Sequence, residues 1–326
     1  MTRLPFTLAC GTYDRTDALR TGIVQPEGMD LIYVPIQSPP ELFARMVHKE
    51  SFDAAEMSTS LYLQLRSQGN FPFVALPIFP SRMFRHGYVF TRDGAGIESP
   101  TDLAGRRIGV QEYHQTAAVW IRGILQNYYD VDFSGVQWSE AGVNTPREPD
   151  PVVDRRPEGP LDIRFVAGRS IDELLLAGEI DAYFGARRPR SVGKGVGRLF
   201  PDARAEERAW FRRTGIYPMM HTVVVREPVL DRHPWVAESL LRGFEEAKRW
   251  CLEQVRFSGT NRYLLPWLQS DLDEIDELFG GDPYPYGLEP NRTALEALVG
   301  FLVQQRFLSS APPLEELFAR VVTANE

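Results

Sequence analysis

The stretch SPTDLAGRRIGV, residues 99–110, decides how the chain is divided. Its first half predicts one helical turn, with Ser99 as N-cap, Pro100 at the first helical position and Gly105 as the stop. Its second half, RRIGV, predicts a strand that opens a second series of strands and helices. We therefore expect a second lobe to begin just before this stretch.

Strands and helices alternate on both sides of that stretch. FTLAC (6–10) and MDLIYVPI (29–36) precede it, and LDIRFV (161–166) and DAYFGA (181–186) follow it, with helical patterns between them. Such alternation predicts an α/β fold in which each lobe is a mixed sheet flanked by helices, with further helices at the C-terminal end. The predicted lobes are lobe I, residues 1–93 and 220–326, and lobe II, residues 94–219.

The composition excludes several classes of protein. The 326 residues carry a net charge of −8, with 43% hydrophobic and 25% charged residues, as in ordinary globular proteins. A nucleic-acid partner is not expected, because phosphate binding needs a basic face. Nothing approaches 18 consecutive apolar residues, so we expect no membrane span.

The N-terminal residues and the cysteines favour a cytoplasmic protein. MTRLPFTLACGTYDRTD has no long apolar segment and no small-residue cleavage site of a secretory signal. Cys10 and Cys251 lie far apart and outside any CxxC or Cys/His cluster, so two reduced thiols are expected. The sequence leaves a homo-oligomer open, and it assigns no role to the proline-rich segment 146–160.

Polar side chains gather where predicted strands end. Ligands of open α/β sheets bind at the carboxyl ends of the strands, so these side chains are candidates for a cleft. Helix starts and arginines at these positions suit a carboxylate or a phosphate. Plain N-capping is the alternative for the serine and threonines. The candidates are Tyr13, Glu56, Ser58, Thr59, Tyr113, His114, Thr116, Arg187, Arg188, Arg190, Tyr217 and His221.

Positive charge is concentrated in FPSRMFRHGYVF, residues 79–90, between two predicted buried strands. Arg82 and Arg85 could be solvated loop residues. Alternatively, they bind a carboxylate through paired hydrogen bonds. Since the chain as a whole is acidic and other cleft candidates are cationic, we expect this charge to serve a small anionic ligand.

Three histidines, His86, His114 and His221, fall at predicted strand ends. A structural role is the alternative for each one, but together with Arg, Glu and Tyr they indicate a cleft role. A metal site from His86, His114 and Glu56 or Glu112 lacks HxxxH, HxE or CxxC spacing, so no metal is predicted. Nucleotide loops and a GxSxG elbow are absent from the sequence, and no cofactor is expected.

Three motifs carry a resemblance to a known family. SRxFRH (81–86), EYxxTAxxWxRG (112–123) and GIYPxMH (215–221), within similarity from about residue 6 to 250, resemble the 4,5-dihydroxyphthalate decarboxylase family. That family resembles type II periplasmic solute-binding proteins in fold. The resemblance implies a two-lobed protein that removes CO₂ from an aromatic dicarboxylate with a catechol, giving 3,4-dihydroxybenzoate without a cofactor.

This chemistry predicts roles for the candidates. It needs a general acid, for which His86 is the first choice and His221 the second. Glu56, with His114 or Tyr113, would hydrogen-bond the catechol hydroxyls. Arg82 and Arg85 would bind the substrate carboxylates, with Arg187 or Arg188 closing from lobe II. The remaining substrate contacts are assigned to Tyr13, Ser58, Thr59, Thr116 and Tyr217.

Two alternatives to the enzyme stay open. One is a non-catalytic solute-binding protein of the ABC-transporter type for a small aromatic or dicarboxylic anion. The other is a ligand sensor, which lacks any DNA-binding signature. An enzyme consumes its ligand and a binding protein returns it unchanged, so turnover separates these alternatives.

Overall fold

A computed structural model describes residues 2–69, 71–150, 153, 155–260 and 262–321. The chain separates into two units. Unit 1 comprises Met1–Arg82, Met219–Thr293 and Pro312–Glu326, and unit 2 comprises Met83–Pro218 and Ala294–Ala311.

The regular elements are numbered in chain order. The strands are β1 Leu4–Cys10, β2 Met29–Pro35, β3 Ala54–Ser58, β4 Phe73–Arg82, β5 Val89–Arg92, β6 Arg107–Val110, β7 Gln137–Gly142, β8 Ile163–Ser170, β9 Ala182–Phe184, β10 Val196–Arg198 and β11 Met219–Arg226. The helices are α1 Asp17–Arg20, α2 Pro39–Lys49, α3 Thr59–Ser67, α4 Thr116–Tyr128, α5 Ile171–Leu176, α6 Ala203–Thr214, α7 Glu227–Arg232, α8 Trp235–Arg256, α9 Leu268–Phe279, α10 Arg292–Gln304 and α11 Leu314–Leu317.

Unit 1 is built on a five-stranded sheet in the order β2-β1-β3-β11-β4. β1 lies parallel to β2 and β3, whereas β11 lies antiparallel to both β3 and β4. Every residue of β3 is buried, as expected of an inner strand covered on both faces. Its core contains Leu8 and Val223 from the sheet and Leu240 and Phe244 from α8.

Unit 2 is built on a six-stranded sheet in the order β10-β5-β9-β6-β7-β8. Strands β6, β7 and β8 are parallel, and β5 lies antiparallel to β9 and β10. The helix α4 covers this sheet with ten buried residues. Gly123 of α4 allows close packing of Phe301 from α10, since a Cβ at this glycine would lie 2.2 Å from the phenylalanine ring.

The structure differs from the predicted lobes in two segments. Residues 83–93 were assigned to lobe I, but β5 pairs with β9 and β10 in the sheet of unit 2. Residues 294–311 were also assigned to lobe I, and the structure places them in unit 2, where Phe301 packs on Gly123. In both segments the apolar pattern shows that a face is buried without showing which sheet buries it.

The predicted turn at the start of lobe II is present. Pro100–Leu103 forms a 3₁₀ turn, the Asp102 carboxylate accepts a hydrogen bond from the Ser99 backbone N–H at 2.8 Å, and Gly105 follows with φ +67°. Residues 151, 152 and 154 of the proline-rich segment lie outside the described residues, and its other positions form no helix or strand. None of the helices within the described ranges has the length and apolar character that a membrane span requires.

Candidate active site

The carboxyl ends of β1 and β3 bring a carboxylate, a tyrosine and a histidine together in unit 1. Glu56 lies inside β3 and is 1% exposed, and Tyr13 follows the end of β1. His221 lies on β11, in register with Ser58 of β3 and Ser81 of β4. Because β1, β3 and β11 are neighbours in one sheet, residues far apart in sequence meet at the end of the sheet where β1 and β3 finish.

Glu56 accepts hydrogen bonds at both carboxylate oxygens. Its Oε2 accepts from the Gly11 backbone N–H at 2.8 Å and from the Cys10 thiol at 3.4 Å. Its Oε1 accepts from the Tyr13 hydroxyl at 2.5 Å and lies 2.5 Å from Nδ1 of His221. A buried carboxylate needs such a set of donors, because an unpaired buried charge is costly.

The charge on Glu56 is held by His221. Burial by itself would raise the pKa of this carboxyl, but the nearby His221, together with the hydrogen bonds from His221, Tyr13 and Gly11, lowers the pKa to about 2. Burial and the Glu56 charge raise the pKa of Tyr13, so its hydroxyl stays protonated and donates. The site therefore holds an ionised carboxylate against a histidine ring at neutral pH.

His221 is fixed on two sides. Its Nδ1 faces Glu56, and its ring meets the edge of Phe43 at a centroid distance of 5.1 Å. The side chain remains 15% exposed, whereas that of Glu56 is 2% exposed. An imidazole held at Nδ1 by a carboxylate has its other nitrogen, Nε2, available for proton transfer.

Tyr13 is positioned by a stacked arginine. The Arg15 guanidinium lies 4.2 Å from the centroids of both the Tyr13 and Tyr284 rings, and its Nε donates to the Pro80 carbonyl at 2.6 Å. A Cβ at Gly11 would lie 2.8 Å from the Tyr13 ring, so glycine is required there for this packing. The loop after β1 is thus built to present Tyr13 to Glu56.

Arg82 lies at the end of β4, opposite Met219 of β11, and is 5% exposed. Its Nη2 donates to the Asn291 side chain and to the Pro285 carbonyl at 3.3 Å. The guanidinium is therefore held in place by the segment between α9 and α10, rather than solvated.

Ser58 and Thr59 mark the start of α3. The Ser58 hydroxyl accepts from the Leu61 N–H at 3.4 Å, which is the N-cap role that the sequence left open. Thr59 is fully buried, and its hydroxyl has no hydrogen-bond partner among the described residues.

Arg85 and His86 belong to unit 2, unlike Glu56 and His221. The His86 ring is 2% exposed and packs against the rings of Tyr129, Phe200 and Trp210 at centroid distances of 5.6, 5.3 and 5.4 Å, in that order. Burial, with a smaller effect of Arg213, lowers its pKa to about 4. His86 is thus a neutral ring in an aromatic cluster, surroundings that do not favour a general acid near pH 7.

The other predicted contacts in unit 2 come from several segments of that unit. Arg85 is 4% exposed, lies 5.1 Å from the Tyr88 ring centroid, and burial lowers its pKa to about 10. The Tyr113 backbone N–H donates to Glu140 at 2.6 Å, and its ring lies under Arg122. His114 and Thr116 are buried, Arg187, Arg188 and Arg190 are exposed, and Tyr217 is half-buried with its ring 4.6 Å from that of Phe84.

Three members of the site escaped prediction. The sequence predicts only a reduced thiol at Cys10, and the structure shows that this thiol donates to Glu56. The Gly11 contact uses a backbone N–H, which no side-chain pattern reveals. Arg15 acts by stacking, and the only signal for it was its place in the loop CGTYDR after β1.

No group of three or more His, Cys, Asp or Glu side chains that could hold a metal ion is found in the part of the chain that the structure describes. The residues weighed as metal ligands from the sequence belong to different units, with Glu56 in unit 1 and His86, His114 and Glu112 in unit 2.

Enzymes use the pairing of an ionised carboxylate with a histidine for proton transfer, and Glu56 and His221 have this arrangement. Comparison with models of known protein families finds no match. A curated 4,5-dihydroxyphthalate decarboxylase from Comamonas testosteroni is 36% identical over 294 residues, covering 89% of each chain. Another from Pseudomonas putida is 34% identical over 215 residues, covering 65% of this chain and 83% of that one.

The chain belongs to the 4,5-dihydroxyphthalate decarboxylase family, as the three motifs predicted. Among solved structures, the periplasmic aliphatic sulphonate binding protein SsuA from Escherichia coli matches with a TM-score of 0.55 at 10% identity, over 100% of this chain and 96% of that one. This likeness confirms the predicted fold class, a type II periplasmic-binding-protein-like α/β fold.

Proposed function

We propose that the chain converts 4,5-dihydroxyphthalate to 3,4-dihydroxybenzoate and CO₂, with His221 as the proton donor. The observation that carries the role of His221 is its Nδ1 contact with the buried Glu56 carboxylate at 2.5 Å. The substrate follows from the names of the relatives that the chain resembles over most of its length.

The chemistry requires one proton for each CO₂ released. His221 Nε2 gives a proton to the ring carbon that bears the departing carboxylate, while the hydroxyl para to it loses its proton and feeds electrons into the ring. The bond between the ring and the carboxylate then breaks, and its electron pair restores the aromatic ring as CO₂ leaves. The phenolate finally regains its proton, so the reaction as written uses no cofactor.

Glu56 serves the histidine rather than the substrate in this proposal. Its two oxygens already accept from Gly11, Cys10 and Tyr13 and contact His221, which leaves little capacity for a catechol hydroxyl. The carboxylate fixes the orientation of the ring and pairs with the imidazolium that donates the proton. A positioned acid of this kind contributes about 10²–10⁴-fold to a rate.

The proposal reverses the order of the two histidines expected from sequence. His86 is surrounded by aromatic rings, and its pKa is lowered, whereas His221 has a carboxylate partner and partial exposure. For the substrate carboxylates we retain Arg82, whose guanidinium is buried and oriented. The contacts predicted for Arg85, Arg187 and Arg188 stay predictions.

The alternative, a solute-binding protein, shares the fold but not the family. To separate the two, 4,5-dihydroxyphthalate is incubated with the protein in D₂O, and the products are followed by mass spectrometry. The proposal expects 3,4-dihydroxybenzoate with one deuterium at the carbon that lost CO₂, in amounts far above the protein present. Recovery of unchanged substrate would contradict it.

A further inference from the structure

Unit 2 contains a cavity of about 180 Å³ between α4, the start of β7 and the segment after α10. Its lining residues all belong to unit 2, whereas Glu56 and His221 lie in unit 1. The lining includes Tyr113, Arg122, Phe133, Trp138, Gln304 and Arg306.

Arg122 brings a buried positive charge to this cavity. The residue is 1% exposed, its Nε donates to Gln305 Oε1 at 2.8 Å, and its Nη2 donates to the Tyr113 carbonyl at 2.7 Å. Its Nη1 has no hydrogen-bond partner among the described residues. Both acceptors that it does have are neutral, so the charge itself is not matched by either of them.

Glu140, the carboxylate whose charge affects Arg122, is already paired with other groups. Glu140 lies 2.6 Å from Arg156 and accepts from the Tyr113 N–H at 2.6 Å. The Tyr113 ring, 3.7 Å from the Arg122 guanidinium carbon, offsets part of the cost of burying the cation. Burial lowers the pKa of Arg122, which shows the remaining cost of its charge.

Trp138 also lines the cavity and carries a second donor without a partner in the described part of the chain. It is 1% exposed, and its indole Nε1 has no hydrogen-bond partner among the residues that the structure describes. The Arg122 guanidinium lies 5.5 Å from the Trp138 ring centroid, so the two donors share one neighbourhood. Buried donors without partners are rare in native proteins and call for an acceptor.

We propose that this cavity binds a small aromatic monocarboxylate of the benzoate class. The carboxylate accepts from Arg122 Nη1 and Trp138 Nε1, and the ring packs against Tyr113 and Phe133. An apolar cavity of about 150 Å³ holds benzene, so this cavity has room for a single ring. Its lining residues belong to unit 2 and the proposed proton donor to unit 1, and its occupancy does not depend on turnover.

The test uses the indole N–H signals of the protein, which has six tryptophans. The Trp138 signal is assigned by its absence in Trp138→Phe, and benzoate is then titrated into ¹⁵N-labelled protein. We expect this signal to shift saturably with benzoate. Benzamide, which has the same shape without the charge, should bind about tenfold more weakly or less, because a charge-assisted hydrogen bond is stronger than a neutral one.

Two variants complete the experiment. Arg122→Met should weaken benzoate binding about ten- to a hundredfold, and His221→Asn should leave it unchanged. The comparison of benzoate with benzamide uses the unaltered protein, so the test stands even where Arg122→Met does not fold. An unmoved Trp138 signal, or equal binding of the two compounds, would overturn the proposal whether or not the chain decarboxylates anything.

Discussion

Replacing Glu56 with glutamine tests whether this carboxylate sets up His221 for proton transfer. Glutamine has nearly the same shape but no charge, and one of its two oxygen positions becomes an NH₂ donor. Each Glu56 oxygen faces donors, Gly11 and Cys10 at one and Tyr13 and His221 at the other. Whichever way the amide is turned, one set of donors therefore meets another donor.

The magnitude follows from the lowered pKa of Glu56. An ordinary value of 4.5 falls to about 2 in the folded protein, and each pKa unit corresponds to about 1.36 kcal/mol. The carboxylate thus stabilises the fold by about 3 kcal/mol at neutral pH. Because the folded pKa is the lower one, this stability is present above pH 4.5 and is lost as the pH falls toward 2.

Turnover and unfolding give two readouts for Glu56→Gln. We expect turnover to fall about 10²–10⁴-fold, as for loss of a positioned acid. Urea unfolding from pH 7 to pH 2 should show that the wild type loses the stability described above, whereas the variant lacks that acid-dependent component.

Asp53→Asn provides the matched control. Asp53 flanks the same strand and accepts from the Thr7 backbone N–H at 2.9 Å and hydroxyl at 2.8 Å. This change should cost stability while leaving turnover near the wild-type rate. Full turnover in Glu56→Gln, or equal loss in Asp53→Asn, would refute the role of Glu56.

Three further outcomes are expected. The pKa of His86 falls from 6.5 to about 4 on folding. Because the folded protein resists protonation of this ring, about 3 kcal/mol of stability is lost as the pH drops from 6.5 to 4. Urea unfolding of His86→Phe should lack that loss, and the variant should retain its turnover at pH 7. Gly11→Ala presses on the Tyr13 ring and should cut turnover about tenfold to a hundredfold, whereas Gly300→Ala, where a Cβ meets nothing within 4 Å, should leave the kinetics unchanged. A chelator should leave turnover intact, since the proposed steps use no metal, and loss restored by added metal would contradict them.

Strand and helix patterns predicted much of the fold. Periodicity and turn residues located the 99–105 turn and the helix that begins near residue 235, because those signals are local. The assignment of β5 and of residues 294–311 failed for the opposite reason, since the partner of a buried face lies far away in sequence.

The candidate site was predicted only in part, and the physical reason differs by residue. The sequence shows polar residues at the ends of predicted strands, and these include Glu56, Tyr13 and His221. The burial of His86 among aromatic rings is not visible, because those rings come from α6 and from the segments around residues 129 and 200. The burial of Arg122 is not visible either, because the sequence shows this residue only as part of the motif EYxxTAxxWxRG.

The central claim is that His221, and not His86, delivers the proton to 4,5-dihydroxyphthalate. The most direct measurement compares CO₂ release and 3,4-dihydroxybenzoate formation by the wild type, His221→Asn and His86→Phe under identical conditions. We expect turnover in the wild type and in His86→Phe, and a loss of about 10²–10⁴-fold in His221→Asn with its fold intact. Turnover that survives in His221→Asn and disappears in a folded His86→Phe would contradict it.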